Sequence, residues 1–275
     1  MEERIRFGCQ NLINALPILH GLSLVASGPP GQEPCDVPRL EIVRDTPAIL
    51  ARMLHEQLLD VAVVPAIEYL RNADYVIASP VCIACCGPVE SVKVYCRKPP
   101  DKIETLALDA NSMSSAVLVR VLLARQYGVE PRCTIAGIGH DLSQIQTDAV
   151  LVIGDGALVI DPRGFQVLDL GEEWFRMTGL PFVFALCCCR RGASLGDLPE
   201  RLERSLEDGL KSVGDIAAAV SGPMGIDRER LVRYLSQSIR YHLGLAEQQG
   251  LLRFFHETFN CGLWHEERGL EFYAQ

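Results

Sequence analysis

The stretch Asp60-Val61-Ala62-Val63-Val64-Pro65-Ala66-Ile67-Glu68-Tyr69-Leu70 decides the fold class of this chain. Its first half is a short apolar run that begins after an acidic residue and ends at a proline, which is typical of a strand buried on both faces. Its second half restarts at once as a helix. A buried strand that leads directly into a helix predicts an α/β fold with a largely parallel sheet and helices on both faces.

The same alternation extends to both sides of this stretch. Thr46-Pro47 is typical of a helix start, with an N-cap residue and a proline in the first turn. A Gly/Pro-rich loop is expected at 27–38. The pattern around it predicts strands at 5–8, 40–43, 75–85 and 89–96, and helices at 16–22 and 46–59.

A second lobe is predicted after the polar, proline-rich segment Arg97-Lys98-Pro99-Pro100-Asp101. The α/β pattern starts again there, with strands at 105–108, 148–155 and 180–186 and a helix at 116–127. From residue 198 onward the spacing predicts helices, the third of them capped by Asp227 and running to about residue 243. We therefore expect a discontinuous first lobe, residues 1–96 plus 188–275, and a second lobe, residues 97–187.

Composition and charge narrow the classes of partner. The 275 residues are 48% hydrophobic and 22% charged, which is ordinary globular composition. The net charge of −9 argues against nucleic acid or an anionic membrane as a main partner. No segment reaches the roughly 20 apolar residues of a membrane helix. An acidic ligand would have to be bound locally, by helix N-termini, amides and hydroxyl groups.

Cysteine usage indicates a reducing compartment. Several of the 11 cysteines stand in tight clusters, Cys85-Cys86 and Cys187-Cys188-Cys189, which is poor geometry for a disulfide framework. The residues after Met1 do not resemble a secretion signal. The sequence thus predicts free thiols and a cytoplasmic protein, and it leaves a homodimer open.

Three places carry polar groups where an α/β protein binds its ligand. Asn14 follows the first strand, and its amide can donate and accept without a charge. Ser112, Ser114 and Ser115 precede a helix, where hydroxyl and backbone N–H groups can cradle a carboxylate or can simply cap the helix. Asp155 ends a strand and could act as a general base, bind a hydroxyl group or cap the next turn.

Other chemistry has weaker support. The sequence contains neither a phosphate-binding Gly-x-x-x-x-Gly-Lys loop nor a Gly-x-Gly-x-x-Gly turn after a strand, so a nucleotide cofactor is not expected. Cys82-x-x-Cys85-Cys86 could be half of a zinc or redox site, but buried apolar cysteines explain it as well. His140-Asp141 could be catalytic or an ordinary surface pair. No metal site is predicted.

Several stretches, taken in order, resemble one family. They cover nearly the whole chain and include Asn14-Ala15-Leu16-Pro17, the strand-and-helix stretch at 60–70, Gly87-Pro88-Val89-Glu90-Ser91-Val92, Ala107-Leu108-Asp109 with the serine turn, Leu168-Asp169-Leu170-Gly171, and Leu180-Pro181-Phe182-Val183-Phe184-Ala185. Together they resemble the chorismate dehydratases of the futalosine route to menaquinone.

The resemblance implies a two-lobed type II periplasmic-binding-protein-like fold, each lobe a mixed, mainly parallel sheet flanked by helices, with a ligand cleft between the lobes. It implies a lyase that dehydrates chorismate, a dicarboxylate, to 3-[(1-carboxyvinyl)oxy]benzoate without metal or organic cofactor. Two alternatives stay open: a binding protein of the same fold for a small carboxylate, without activity, and the later-acting dihydroxynaphthoate synthase of the same pathway.

The resemblance also assigns residues to the cleft. Asn14 and Ser91 match family positions expected to be catalytic, with Asn14 orienting the leaving hydroxyl or a carboxylate. The serine turn, Ser112, Ser114 and Ser115, is expected to bind a carboxylate. Further substrate contacts are expected from Pro65, Ala66, Cys86, Gly87 and Asp155.

Overall fold

The computed structural model describes residues 4–25, 39–139 and 141–274. The loop predicted at 27–38 and His140 lie outside these ranges. The strands are β1 (Arg4–Gln10), β2 (Arg39–Asp45), β3 (Val61–Pro65), β4 (Tyr75–Cys85), β5 (Val92–Cys96), β6 (Thr105–Asp109), β7 (Arg132–Ala136), β8 (Ala149–Ile153), β9 (Gln166–Asp169), β10 (Phe182–Arg190) and β11 (Arg240–His242).

The helices surround these strands as the alternating pattern predicts. They are α1 (Leu16–Val25), α2 (Pro47–His55), α3 (Ala66–Arg71), α4 (Ser114–Leu122), α5 (Asp155–Val159), α6 (Leu170–Thr178), α7 (Leu198–Lys211), α8 (Val213–Met224), α9 (Arg228–Arg233) and α10 (Leu245–Asn260). Thr46 and Pro47 occupy the predicted N-cap and first-turn positions of α2, although the Thr46 side chain makes no capping hydrogen bond.

The described strands form two mixed sheets, one in each lobe. The six-stranded sheet has the order β11-β4-β10-β3-β1-β2, and the five-stranded sheet has the order β7-β6-β8-β5-β9. Parallel pairing is confined to β2-β1-β3 in the first sheet and β7-β6-β8 in the second. The remaining pairs are antiparallel: β10 with β3 and β4, β11 with β4, and β5 with β8 and β9. The two-lobed α/β fold is thus confirmed, with a smaller parallel share than the pattern suggested.

Sheet membership differs from the predicted lobe boundaries at both crossings. Strand β5, assigned from the sequence to residues 1–96, pairs with β8 and β9 in the five-stranded sheet. Strand β10, most of which was assigned to residues 97–187, pairs with β3 and β4 in the six-stranded sheet. We therefore propose that the chain crosses between the lobes at 86–91 and again at 179–181.

The third C-terminal helix is shorter than predicted. Asp227 caps α9, accepting a hydrogen bond from the Arg230 N–H at 2.9 Å, but α9 ends at Arg233. A π-helical turn, Tyr234–Ser238, follows, and β11 then pairs with the edge of β4. The prediction of one helix to residue 243 was wrong because the gain from covering a sheet edge overrides helical spacing.

The cysteine clusters are packing residues. Cys82, Cys85 and the triplet 187–189 are fully buried, and the cysteines in the described ranges are all free thiols. Cys86, by contrast, is exposed. Within those ranges, no group of three or more His, Cys, Asp or Glu side chains could hold a metal ion.

Candidate functional site

A cavity that is partly open to solvent lies where the two lobes meet, and its empty volume of about 510 Å³ includes some of that open solvent. Side chains with amide or hydroxyl groups supply its polar lining: Gln10, Asn14, Ser91, Asn111, Ser112, Ser114 and Ser115. The apolar lining comes from Leu12, Pro47, Pro65, Ile83, Val89, Val92, Met113, Ile153, Gly154, Phe184, Ala185 and Ile239. Both lobes therefore contribute polar and apolar groups to one cavity.

The described lining contains no carboxylate, imidazole, amine, guanidinium or thiol group. Polar recognition rests instead on hydroxyl and amide groups and on helix N-termini. Pro47 begins α2 and Ser114 begins α4, so both helices start at the cavity. The first backbone N–H groups of a helix have no partner within the helix and carry a partial positive charge. The cavity can therefore bind an anion without a cationic side chain.

Asn14 is positioned by the short connection between β1 and α1. It lies in the 3-10 turn Ile13–Ala15 and is only 7% exposed. Its Oδ1 accepts a long hydrogen bond, 3.4 Å, from Gln10 Nε2 at the end of β1. The Nδ2 group is then available as a donor toward the cavity.

Ser91 enters the cavity through an unusual backbone conformation at the preceding residue. Glu90 has φ of 63°, in the left-handed region that non-glycine residues rarely adopt. Its carboxylate accepts hydrogen bonds from Arg230 Nε at 3.2 Å and Ser238 Oγ at 3.3 Å. These contacts fix the backbone before β5 and hold Ser91, which is 1% exposed, in the cavity wall.

The same crossing is held from the other side by Asp169, the N-cap residue of α6. Its carboxylate accepts backbone hydrogen bonds from Val89 at 3.0 Å and Glu90 at 2.7 Å, and from Gly171 at 3.0 Å. Burial raises the pKa of Asp169, and the hydrogen bonds from Val89 and Glu90 oppose that rise. Two stretches quoted for the family resemblance, 87–92 and 168–171, are therefore in direct contact.

The three serines of the turn have different surroundings. The Ser114 hydroxyl donates to the Phe184 carbonyl at 2.9 Å and accepts from the Ile67 N–H at 3.2 Å, so it bridges the two lobes. The Ser112 hydroxyl is buried and has no hydrogen-bond partner among the described residues. Ser115 lines the cavity and is 6% exposed. Ser112 and Ser115 can therefore donate to a ligand, whereas the Ser114 proton is already engaged.

Asp109 shapes this turn from behind. It ends β6, is 8% exposed and accepts a hydrogen bond from the Asn111 N–H at 2.9 Å. Burial raises the pKa of Asp109, and the hydrogen bonds from Asn111 oppose that rise. Asn111 is thereby held in the lining next to Ser112.

The structure brings Asn14, Ser91, Pro65 and the serine turn to one cavity, and their contact with a substrate there stays a prediction. Four other predicted contacts are not in the lining. Ala66 is fully buried at the start of α3, Cys86 is exposed, and Gly87 has φ of 100° in the crossing segment. These residues shape the walls and crossing around the cavity.

Asp155 is the fourth residue outside the lining, and it connects the lobes. Its carboxylate accepts the Ile13 N–H at 3.1 Å, next to Asn14. Burial raises the pKa of Asp155, and the hydrogen bond from Ile13 opposes that rise. Beside it, Gly154 has φ of 66°, and a Cβ atom there would lie 2.9 Å from Leu12 Cδ2. The positive φ favours glycine here, whereas the flexible end of Leu12 could move aside for a Cβ atom.

Sequence reasoning missed Gln10, Asn111 and Phe184. Gln10 stands four residues before Asn14 at the end of a strand, and Asn111 lies inside the serine turn, so position alone could have indicated both. Phe184 belongs to a stretch quoted for the family resemblance, but its spacing is that of an ordinary buried strand and did not mark it as a cavity residue.

The fold and the cavity define a class of protein. Two α/β lobes joined by crossing segments, with a polar cavity between them, are the periplasmic-binding-protein type of ligand-binding fold. A family model described as menaquinone biosynthesis matches residues 5–260, so this chain belongs to that family. Chorismate dehydratase from Thermus thermophilus is 28% identical over 257 residues, 86% of this chain and 94% of that protein.

Solved structures agree on the fold. A protein from Archaeoglobus fulgidus has a TM-score of 0.75 at 17% identity, covering 95% of this chain and 98% of its own. The periplasmic aliphatic sulphonate binding protein of Escherichia coli has a TM-score of 0.64 at 12% identity, covering 100% of this chain and 95% of its own. At these identities the likeness shows the fold alone. In the described ranges, every helix is too short or too polar to cross a membrane.

Proposed function

We propose that this chain is a chorismate dehydratase that acts without a cofactor in the futalosine route to menaquinone. Membership of the menaquinone-biosynthesis family and the relative from Thermus thermophilus support the substrate. The observation that carries the proposal is the cavity lining, which offers neutral donors from both lobes and two helix N-termini. Chorismate presents two carboxylates and one hydroxyl group, and these suit such donors.

The reaction removes one hydrogen as a proton from the ring carbon that bears the enolpyruvyl ether. The 4-hydroxyl leaves from the neighbouring carbon, and the two together form water. Aromatisation of the ring drives this loss, so the protein mainly needs to hold the substrate in a reactive geometry and exclude bulk water. Because the described lining has no general base, we infer that the enolpyruvyl carboxylate of the substrate takes the proton.

Each polar group has a role in this scheme. Asn14 and Ser91 would donate to the departing hydroxyl or to the carboxylate beside it. Ser112, Ser115 and the first N–H groups of α4 would bind the ring carboxylate from the second lobe. Substrate binding would then close both lobes on the dicarboxylate. We propose the cytoplasm as the site of action, since the expected pathway is biosynthetic.

A chorismate assay tests the proposal. We expect purified protein to remove the diene absorbance of chorismate and form the aromatic product, identified by mass spectrometry. Asn14→Ala should lower kcat by about 100-fold, the usual cost of one transition-state donor. Asn11→Ala is the matched control, because Asn11 is exposed, lies outside the cavity lining and should keep kcat within about twofold.

The same lining also suits a protein that only binds a small carboxylate, so the assay must separate the two functions. Saturable binding of chorismate by calorimetry without turnover would support the binding protein and overturn the enzyme. Full activity in Asn14→Ala would show that Asn14 has no catalytic role, although the protein would still be a chorismate dehydratase.

A further inference from the structure

A buried phenol, that of Tyr234, lies next to the cavity residues Ser91 and Asn14. This side chain is 1% exposed and lies in the π-helical turn Tyr234–Ser238, after α9. Its hydroxyl oxygen is buried and makes no hydrogen bond of ordinary geometry among the described residues, although the Ser91 and Asn14 side chains lie beside it. A buried hydroxyl group without a partner costs free energy, so the phenol gains by donating a hydrogen bond where an acceptor lies within reach.

The turn that carries Tyr234 packs against the wall that carries Ser91. Arg230 and Ser238, which flank Tyr234 in sequence, both bind the Glu90 carboxylate, and Ile239 lines the cavity. Tyr234 itself is outside the lining and lies behind Ser91 and Asn14. Both groups are close enough to its phenol to lower the Tyr234 pKa, although burial raises that pKa well above the ordinary value.

We propose that Tyr234 is a positioning residue that acts through Ser91. Its phenol donates to Ser91 Oγ when the ligand binds, which leaves the Ser91 proton free to donate into the cavity. Asn14 is oriented in the same way from its other side by Gln10, whose Nε2 donates to Asn14 Oδ1 at 3.4 Å. Buried donors, Tyr234 behind Ser91 and Gln10 beside Asn14, would therefore direct the cavity donors toward one anion.

The chemistry of the phenol fits this role. Burial and the nearby Asp155 and Glu90 carboxylates keep Tyr234 protonated across the physiological range, since they raise its pKa. A neutral phenol can donate one hydrogen bond at all such pH values and cannot compete as a base. Tyr234 therefore sets the direction of the Ser91 hydrogen bond without taking part in proton transfer.

A double-mutant cycle tests this inference, which rests on the proposed function. The variants are Y234F, S91A and Y234F/S91A, each measured for kcat and KM with chorismate and for chorismate affinity by calorimetry. Y241F is the matched control, because Tyr241 is also buried with an unpartnered hydroxyl group but is not in the lining. Neither tyrosine variant should lower Tm, since each removes only an unpartnered hydroxyl group.

We expect Y234F to lower kcat about tenfold, the size that one hydrogen bond accounts for, and Y241F to stay within about twofold of the parent protein. Y234F/S91A should be no slower than S91A alone. Full activity in Y234F, an equal loss in Y241F, or a double variant whose loss is the product of the two single losses would overturn the inference.

The cycle separates this inference from the proposed function. If the parent protein binds chorismate without converting it, the proposed function fails. The double-mutant cycle is then calculated from the chorismate affinities of the variants instead of from kcat. Weaker binding in Y234F that is not additive with S91A would still support Tyr234 as a positioning residue. Unchanged affinity in Y234F would overturn it.

Discussion

At the scale of single residues, the serine turn combines two tasks in four positions. Ser114 holds the lobes to each other, while Ser112 has a hydroxyl group without a partner. We expect Ser114→Ala to lower the free energy of unfolding by about 1–3 kcal/mol, because it leaves the Ile67 N–H and the Phe184 carbonyl without their partner. Urea unfolding followed by circular dichroism measures this change.

Ser112→Ala is the matched control for that loss. It removes an unpartnered hydroxyl group, so stability should stay within about 0.5 kcal/mol, while KM for chorismate should rise about tenfold through a lost donor. Equal destabilisation by the two substitutions would contradict the division of roles.

The sequence could place these serines at a helix start but could not tell them apart. The partners of Ser114 lie 47 and 70 residues away in the chain, so the difference between Ser112 and Ser114 depends on long-range packing. Tyr234 was hidden for the same reason. The position of Asn14 after the first strand is a local feature of the sequence, whereas Ser91 was predicted from the family resemblance alone.

At the scale of elements, α1 and α7 pack so closely that α7 has no room for a side chain at Gly209. A Cβ atom on Gly209 of α7 would lie 2.0 Å from the Pro17 carbonyl oxygen of α1, and backbone cannot move aside as a flexible side chain can. We expect Gly209→Ala to destabilise the protein by at least about 2 kcal/mol, as overpacking does. The midpoint and slope of urea unfolding provide the measurement.

Gly214→Ala in α8 is the control for helix propensity. A Cβ atom there would meet only Arg228 Nη2 at 3.5 Å, an ordinary contact with a flexible side chain. Its stability should stay the same or rise by up to about 0.5–1 kcal/mol. Equal changes in the free energy of unfolding for Gly209→Ala and Gly214→Ala would contradict the close contact between α1 and α7.

The sequence predicted the element boundaries that depend on neighbouring residues and missed those that depend on distant pairing partners. The spacing predicted β4 over 75–85 and placed the starts of α2 and α7, because these features depend on neighbouring residues. It did not predict that β5 and β10 exchange sheets or that β11 replaces the end of a helix. Such pairings are decided by partners far along the chain, and strand propensity contains no information about them.

At the scale of the whole molecule, two sets of hydrogen bonds join the lobes near the cavity. Ser114 binds Ile67 and Phe184 on one side, and Asp155 binds the Ile13 N–H on the other. The fold class was predictable because many weak motifs occurred in the order of one family. The interlobe contacts were not, since Asp155 reads equally well as a base, a cap or a ligand contact in sequence.

The contact between Asp155 and Ile13 yields a prediction about lobe closure. Asp155→Ala removes the acceptor of the Ile13 N–H next to Asn14, so it should favour separated lobes. A hydrogen bond to a charged group is worth about 1.5–3 kcal/mol, enough to raise KM for chorismate about tenfold through the smaller closed population. Small-angle X-ray scattering without ligand should show a larger radius of gyration.

Two further variants serve as controls. Asp155→Asn keeps an acceptor, so its KM and radius of gyration should lie between those of the parent protein and Asp155→Ala. Asp161→Ala changes an exposed aspartate paired with Arg163, so both values should match the parent protein. Unchanged KM and scattering in Asp155→Ala would mean that this hydrogen bond does not hold the lobes together.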